Sequence, residues 1–349
     1  MFDLQKLVRE NIKNLVPYSS ARGIIKDNQA TLLDANENAF SSSEIEGLNR
    51  YPDPLQVALK KKFGKLKGVG NQNILLGNGS DEIIEIILKT FCDPGKDNIV
   101  ITPPTYGMYE VSANIHDVEV KRVNLNKNFQ LIPQEIIQTI DRHTKLMFLC
   151  SPNNPTGNIL DPNDIEKILR EFNGMVVLDE AYIDFSDTNS WTKRLGEFPN
   201  LIILQTLSKA WGLASLRLGI AMARGKIIDF FNKVKAPYNI GGLTQQTVLR
   251  TLENPQKMHL ALNEIKRERS RLMKRLGQLE VVEHIFPSEA NFLLIRVPDP
   301  KMLYQYLMEK RIIVRDRSTQ VHCKGCLRVT VGTPEENDQF IGAIQAYKI

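Results

Sequence analysis

Cysteine is scarce in this chain, with four residues in 349, too few for a disulfide scaffold of this length. Cys323 and Cys326 form a close pair, which suggests half of a zinc site or a redox dithiol. A structural zinc ion needs about four ligands, and the sequence has no second Cys-x-x-Cys or His-x-His group to complete the set. We therefore predict no metal site, and we interpret the pair as part of a loop that enters a strand.

Long apolar segments and targeting signals are also missing. No stretch approaches the roughly 20 apolar residues that cross a bilayer. The segment from Met1 to Asn11 mixes acidic and basic residues and lacks the apolar core of a secretory signal. Internal repeats and low-complexity tracts are absent as well. We expect a cytoplasmic protein with no membrane partner.

An excess of one charge sign is nearly absent too. The chain has 45 basic and 40 acidic residues, a formal net charge of +5, and no single segment concentrates the excess. This distribution gives no reason to expect a nucleic-acid partner. Hydrophobic residues make up 42% and charged residues 24%, as in an ordinary globular protein. The length allows a sizeable core and more than one domain.

Short apolar runs alternate with amphipathic stretches from about residue 70 onward. Several of these runs are apolar throughout and are bounded by Gly, Pro and Asn. This pattern is typical of strands buried on both faces, as in a mostly parallel sheet covered by helices. The predicted strands are 73–77, 98–101, 119–123, 145–150, 175–178, 201–204 and 218–222, with helices at 80–90 and 106–113.

The pattern changes after about residue 241 and predicts a smaller α+β domain. A charged helical stretch runs through Glu264, and the last helix is expected at 334–347. The first 40 residues are poor in sheet pattern, and we expect them to pack as an arm against the smaller domain or a partner subunit. The predicted divisions are an arm at 1–40, a large domain at 41–240 and a small domain at 241–349. Within the small domain we predict strands at 281–285, 291–297, 312–315 and 327–331, and a helix at 302–309.

The most informative segment for chemistry, Thr206 to Gly219, follows an apolar strand. Lys209 stands there between small and apolar neighbours, where desolvation makes an amine neutral and nucleophilic. Arg217, eight residues later, is suited to grip a phosphate with a fork of donors. Taken alone, Lys209 is more typical of a surface lysine after a strand.

Three further segments place polar residues at predicted strand ends. Asp179 ends an apolar strand, where open α/β sheets place their sites, and its carboxylate suits a protonated pyridinium nitrogen. Asn154, in the loop from Ser151 to Gly157, offers an amide to a ring hydroxyl. The segment from Gly77 to Glu82 begins a helix whose backbone N–H groups suit a phosphate. Each segment alone also fits a turn or a helix cap.

The order and spacing of these four segments resemble the fold-type I pyridoxal-phosphate (PLP) aminotransferases across nearly the whole chain. The resemblance implies an α/β fold in which a large PLP-binding domain, with a mostly parallel seven-stranded sheet between helices, precedes a smaller α+β C-terminal domain. The catalytic residues that it implies are Lys209, Asp179 and Tyr182. Lys209 would form the Schiff base with PLP, and Asp179 would pair with the pyridine nitrogen.

The same resemblance implies further contacts with PLP. Asn154 and Tyr182 correspond to residues that contact the phenolic oxygen, and Tyr106 corresponds to the tyrosine that stacks on the ring. The residues implied at the cofactor phosphate or beside it are Gly79, Ser80, Asp81, Ser208 and Arg217.

More specific motifs resemble the histidinol-phosphate aminotransferase family. They are Pro17 to Arg22, Asn36 to Phe40, Arg50 to Pro54, Ile312 to Arg317 and Cys326 to Gly332. The resemblance implies that Tyr51 reaches the cofactor phosphate of another subunit, and therefore a homodimer. Ala39 replaces a proline that is usual in that family, and the serine-rich segment after it is short. These departures lie near the entrance side of the site in the family and bear on substrate preference.

The resemblance implies transfer of an amino group between L-histidinol phosphate and 2-oxoglutarate, giving imidazole acetol phosphate and L-glutamate, in histidine biosynthesis. One substrate carries a phosphate and the other carries carboxylates, so the site must bind both anions. Guanidinium groups suit both. Our candidates are Arg328 and Arg315, with Tyr18 as a hydroxyl partner.

Other functions share the cofactor motifs. The sequence is also compatible with a broad aromatic amino-acid aminotransferase or a threonine-phosphate decarboxylase. These enzymes share the cofactor site with the histidinol-phosphate aminotransferases and differ from them in the substrate pocket. A PLP-binding sensor of a transcription regulator would require a fused DNA-binding domain. The roughly 40 residues before the sheet pattern are too few for one and have no basic helix-turn-helix pattern.

Overall fold

Two β-sheets, one large and one small, organise the chain. A computed structural model describes residues 2–18 and 31–347. The large sheet contains the strands β1 (Ile74–Asn78), β2 (Asn98–Ile101), β3 (Glu119–Arg122), β4 (Thr144–Cys150), β5 (Met175–Asp179), β6 (Leu201–Thr206) and β7 (Leu218–Met222). All seven lie within two residues of the strands that the apolar runs predicted.

The large sheet is mostly parallel, as predicted, with the strand order β1-β7-β6-β5-β4-β2-β3. Strand β7 is antiparallel to both of its neighbours, whereas the pairs from β6 to β3 are parallel. Successive apolar residues enter different cores because side chains alternate across a strand. Val177 packs in the cluster on one face and Leu178 in the cluster on the other. The uninterrupted apolar runs reflect this burial on both faces.

Helices cover both faces of the large sheet. Helix α7 shows how the sequence begins one of them, because the Asp161 side chain accepts a hydrogen bond from Asn163 N–H and Pro162 occupies the first turn. The helices associated with this sheet are α3 (Val57–Lys67), α4 (Gly79–Phe91), α5 (Met108–Ile115), α6 (Pro133–Thr139), α7 (Pro162–Glu171) and α8 (Gly225–Val234).

The N-terminal segment contains two short helices, α1 (Leu4–Leu7) and α2 (Glu10–Lys13). Val8 and Ile12 are buried in the core beneath α4 and α8 of the large domain. Arg9 joins the same surface through an ion pair with Asp93 at 2.9 Å. This part of the predicted arm therefore packs on the large domain rather than on the smaller one. The division of the chain at residues 40 and 240 stays a prediction.

The small sheet is antiparallel throughout, with the order β10-β11-β9-β8. Its strands are β8 (His284–Ile285), β9 (Phe292–Arg296), β10 (Arg315–Asp316) and β11 (Cys326–Thr330). The helices beside it are α9 (Gly242–Thr251), α10 (Gln256–Leu276), α11 (Pro300–Glu309) and α12 (Pro334–Ala346).

Two strands of the small sheet differ from the predictions. The strand predicted at 312–315 begins only at Arg315, because Ile312 N–H donates to Leu307 O and continues the turn that ends α11. The strand predicted at 281–285 is reduced to its last two residues, because Val282 N–H donates to Leu279 O in a turn. Val281 and Val314 are buried without joining the sheet.

No helix in the described ranges is long and apolar enough to cross a membrane.

Helix α10 allows a matched test of the small-domain core. Leu272 is fully buried in that core, whereas Leu260, on the same helix, is 70% exposed. Replacing Leu272 with Ala should lower the free energy of unfolding by about 2–5 kcal/mol, since it removes buried methyl groups and leaves a cavity. Leu260→Ala should change it by less than about 0.5 kcal/mol. Equal losses in chemical denaturation would contradict the packing.

Candidate active site

A cavity of about 130 Å³ lies at the carboxyl ends of β4, β5 and β6, where open α/β sheets bind ligands. Its lining comes from segments that are far apart in sequence and that meet because parallel strands end at one edge. The residues that line it are Ser80, Asp81, Tyr106, Cys150, Asn154, Asp179, Ala181, Tyr182, Thr206, Ser208, Lys209, Ala214 and Arg217. The cavity thus brings together most of the residues predicted to bind the cofactor.

Asp179, the last residue of β5, is a buried carboxylate with two defined partners. Its Oδ2 accepts a hydrogen bond from Tyr109 Oη at 2.6 Å, and its Oδ1 accepts from Ala181 N–H at 2.9 Å. Burial raises the pKa of Asp179, and these two hydrogen bonds oppose the rise by favouring the charged form. The carboxylate is therefore held in one orientation at the floor of the cavity.

Tyr109 is a residue of the site that the sequence analysis missed. It lies in α5, is completely buried, and stacks on Phe148 with ring centroids 4.8 Å apart. Burial and the neighbouring Asp179 charge raise the pKa of Tyr109, so the phenol keeps its proton and donates a hydrogen bond to the carboxylate. No sequence signal singles out Tyr109, because Tyr106 precedes α5, which begins at Met108, and the contact with Asp179 depends on how α5 packs against the sheet.

Lys209 lies in the loop after β6, with Nζ 5.7 Å from the centre of the Tyr182 ring. Burial lowers the pKa of Lys209, and the positive charge of Arg328 lowers it further. The nearby carboxylate of Asp179 acts in the opposite direction. A lysine in these surroundings supplies more of the neutral amine at physiological pH, which is the nucleophilic and basic form.

Arg328, on β11, connects the small sheet to the cavity. Its Nη1 donates a hydrogen bond to Asn154 Oδ1, and its guanidinium carbon lies 5.2 Å from the centre of the Phe292 ring. The Asn154 amide in turn donates to Tyr182 Oη at 3.4 Å. These contacts place a cation of the small domain beside two residues predicted to contact the cofactor ring.

The other end of the cavity is built for an anion. Gly79 begins α4, so N–H groups of the first helical turn face this end. A Cβ atom at Gly79 would lie 2.6 Å from Arg217 Nη2, and the φ angle of +80° also favours glycine. Arg217 Nη2 donates to Asp81 Oδ2 at 3.1 Å, and Tyr106 Oη donates to Asp81 Oδ1 at 3.1 Å. Asp81 therefore orients both an arginine and an aromatic ring.

Five predicted residues are not among those that line the cavity. Two of them, Gly79 and Arg328, are hydrogen-bonded to lining residues, namely Arg217 and Asn154. Tyr51 is half exposed and stacks on Tyr238 with ring centroids 4.4 Å apart. Tyr18 is 77% exposed, and residues 19–22 of its motif lie outside the described residues. Arg315 is exposed, but it lies directly opposite Arg328 in the antiparallel pair of β10 and β11. The roles of these residues stay predictions.

The Cys323 and Cys326 pair is buried and free of disulfides. Cys326 N–H donates to Cys323 O at 2.9 Å, which closes a turn leading directly into β11. This is the loop entering a strand that the sequence indicated.

Residues 23–344 match the family described as aminotransferase class I and II. The chain is 49% identical to the histidinol-phosphate aminotransferase of Parabacteroides distasonis, over 100% of both chains. The fold is similar to a crystal structure of the histidinol-phosphate aminotransferase from Clostridium acetobutylicum. That likeness has a TM-score of 0.79 and 25% identity and covers 85% of this chain and 90% of the other.

A second structural likeness is to a histidinol-phosphate aminotransferase from Sinorhizobium meliloti in complex with pyridoxal-5'-phosphate. It has a TM-score of 0.78 and 20% identity and covers 86% of this chain and 84% of the other. At that identity the likeness shows the fold alone. It agrees with the predicted arrangement of a large, mostly parallel sheet and a smaller antiparallel one.

The hydrogen bond between Tyr109 and Asp179 should be measurable as stability. Tyr109→Phe keeps the ring and leaves a buried carboxylate oxygen without its partner, so unfolding should become easier by about 1–3 kcal/mol. Tyr304→Phe, which removes a hydroxyl from a half-buried tyrosine of the small domain, is the control. Denaturation of the two variants at the same midpoint as the unmodified protein would show that this bond contributes nothing.

Proposed function

The chain belongs to the class I and II aminotransferases and, within them, to the histidinol-phosphate aminotransferase family, and on that premise we propose its reaction. It transfers an amino group between L-histidinol phosphate and 2-oxoglutarate, with PLP as cofactor. The relatives and the family match support the reaction. The observation that carries it in this chain is Lys209, with its lowered pKa, in one cavity with the buried carboxylate of Asp179.

The cavity fits PLP in its donor set. Gly79, Ser80, Ser208 and Arg217 surround the anion end, where the phosphate would bind. The last three of these residues line the cavity. At Gly79 the φ angle of +80° favours glycine, and a Cβ atom there would lie close to the Arg217 guanidinium. The Asp179 carboxylate at the cavity floor would pair with the ring nitrogen. PLP, when bound, supplies an electron sink that stabilises negative charge on the substrate carbon.

Lys209 supplies the acid–base chemistry in this proposal. Burial and the charge of Arg328 lower the pKa of Lys209, which favours the neutral amine, and Nζ would accept the proton from the substrate carbon. Asp179 would keep a proton on the ring nitrogen, and Tyr109 holds the Asp179 carboxylate in orientation. Asn154 and Tyr182 lie within hydrogen-bond distance of each other, where they would contact the phenolic oxygen.

Arg328 and Arg315 bind the distal anion of either substrate in this proposal. The two arginines lie directly opposite each other on the small sheet, and Arg328 already reaches Asn154 in the cavity. Paired guanidinium groups suit both the phosphate of histidinol phosphate and the carboxylate of glutamate. Tyr18 is the proposed hydroxyl partner, although its exposed side chain lies outside the cavity of its own chain.

We also propose that the enzyme is a homodimer in which Tyr51 serves the site of the partner subunit. Tyr51 is half exposed and belongs to the segment 33–57, which contains further exposed apolar side chains. They are Leu33, Phe40, Ile45, Leu48, Leu55 and Val57. Exposed apolar residues grouped in this way are typical of protein–protein interfaces.

The central assignment predicts a spectroscopic result. Purified protein with PLP should show the absorbance of lysine-bound cofactor. Lys209→Ala should lose both this band and activity, whereas Lys226→Ala, on the exposed side of α8, should keep both. Histidinol phosphate should convert the band to the aminated form far more readily than phenylalanine does. Equal conversion by phenylalanine would indicate a broad aromatic aminotransferase, and absence of any band would contradict the PLP assignment.

Complementation tests the shared site. Tyr51→Ala and Lys209→Ala proteins should each be impaired, because one lacks the tyrosine given to the partner and the other lacks the amine. Mixed dimers would contain one complete site, so a random equal mixture should regain about a quarter of the wild-type activity by symmetry. No regain in dimers verified by differently tagged subunits would mean that Tyr51 serves its own chain.

A further inference from the structure

Three arginines lie on one face of the small sheet. Arg315 is directly opposite Arg328, and Asp316 is directly opposite Leu327. Arg317 N–H donates to Cys326 O at 2.9 Å, which extends the pairing by one residue. Opposed residues share a face and successive residues alternate between faces. The side chains of Arg315, Arg317 and Arg328 therefore project on the same side.

The sheet face that carries the three arginines packs toward the large domain. Cys326 and Leu294, which share it, pack into a core cluster of the large domain. Leu327 and Ile295, on the opposite face, pack into the small-domain core. Arg328 confirms the direction, since it reaches Asn154 in the cavity.

Arg317 is half-buried, and one of its guanidinium nitrogens has no acceptor among the described residues. Its Nε atom is buried and makes no hydrogen bond in the part of the chain that the structure describes. Burial lowers the pKa of Arg317, and the positive charge of Arg315 lowers it further. The nearest acidic residue in sequence, Asp316, points to the other face and accepts a hydrogen bond from Ser318 N–H at 2.7 Å.

The three arginines also affect one another. The charges of Arg317 and Arg315 both lower the pKa of Arg328, after the larger effect of its burial. Crowding like charges and burying a donor without an acceptor both cost free energy. An anion bound among the three guanidinium groups would remove both costs.

We propose that Arg317 is a substrate-binding residue that, together with Arg315 and Arg328, selects a phosphate dianion over a carboxylate. The inference rests on the reaction proposed above and concerns how that site distinguishes its two substrates. A phosphate monoester carries nearly two negative charges and three acceptor oxygens at neutral pH. A carboxylate carries one charge and two oxygens, which a pair of guanidinium groups already matches. The third arginine therefore acts mainly on the phosphate substrate.

The test compares the two half-reactions in the PLP-loaded enzyme. Arg317→Gln should raise the KM for histidinol phosphate about tenfold or more, since it removes a charged hydrogen-bond donor. The KM for glutamate should rise less than about threefold, a change too small for the loss of such a bond. Lys324→Gln removes the same charge from an exposed position in the same loop and should change neither value. Equal rises for both substrates, or no rise, would overturn the proposal.

Inorganic phosphate gives a second measurement that does not depend on turnover of histidinol phosphate. It should inhibit the wild-type enzyme competitively, with about tenfold weaker inhibition in Arg317→Gln. Arg317→Lys keeps the positive charge but loses the paired guanidinium donors, so its inhibition by phosphate should lie between those of the wild-type enzyme and Arg317→Gln. Arg317→Lys also replaces Arg317→Gln if that variant does not fold. Unchanged inhibition would overturn the role of Arg317. Failure of the wild-type enzyme to use histidinol phosphate would instead contradict the proposed function.

Discussion

Burial of Asp179 at the end of β5 is the constraint around which the site is arranged. A carboxylate in that position needs hydrogen-bond donors, and Tyr109 and Ala181 N–H supply them. Tyr109 reaches the carboxylate only because α5 packs against the large sheet and the tyrosine ring stacks on Phe148. The same carboxylate acts on Lys209, whose pKa it raises against the larger effect of burial. The Asp179 charge thus links the large sheet, helix α5 and the Lys209 amine.

The arginines at the two ends of the cavity have different hydrogen-bond partners. On the large-domain side, Arg217 forms an ion pair with Asp81, which fixes its position and partly offsets its charge. On the small-domain side, Arg328 donates to a neutral amide, and the arginines near it lower its pKa. The Arg217–Asp81 ion pair suits a permanently bound group, because the arginine is already held in position before that group binds. An exchanging substrate suits the Arg328 side, where the unbalanced charge is available for each new anion.

The sequence was sufficient for the large sheet and for most of the cavity. Strands buried on both faces leave uninterrupted apolar runs, and residues such as Asp179 and Asn154 follow those runs directly. Tyr109 and Arg317 could not be found in this way, because their roles depend on helix packing and on strand register. The strand predicted at 312–315 failed for a related reason, since apolar character alone does not distinguish a buried turn from a paired strand. Helix α3 also gave no clear signal, because its buried face includes Lys60 as well as Leu59 and Phe63.

Because the proposed reacting amine and the proposed anion-binding arginines lie in different domains, the site selects its substrates by length. The amine proposed to react with the substrate belongs to the large domain, whereas the arginines proposed to hold the distal anion belong to the small sheet. A substrate must therefore span the distance between the two while its reacting carbon stays at Lys209 Nζ. Chain length between the amino group and the anion becomes a criterion for turnover, independent of the chemical identity of either end.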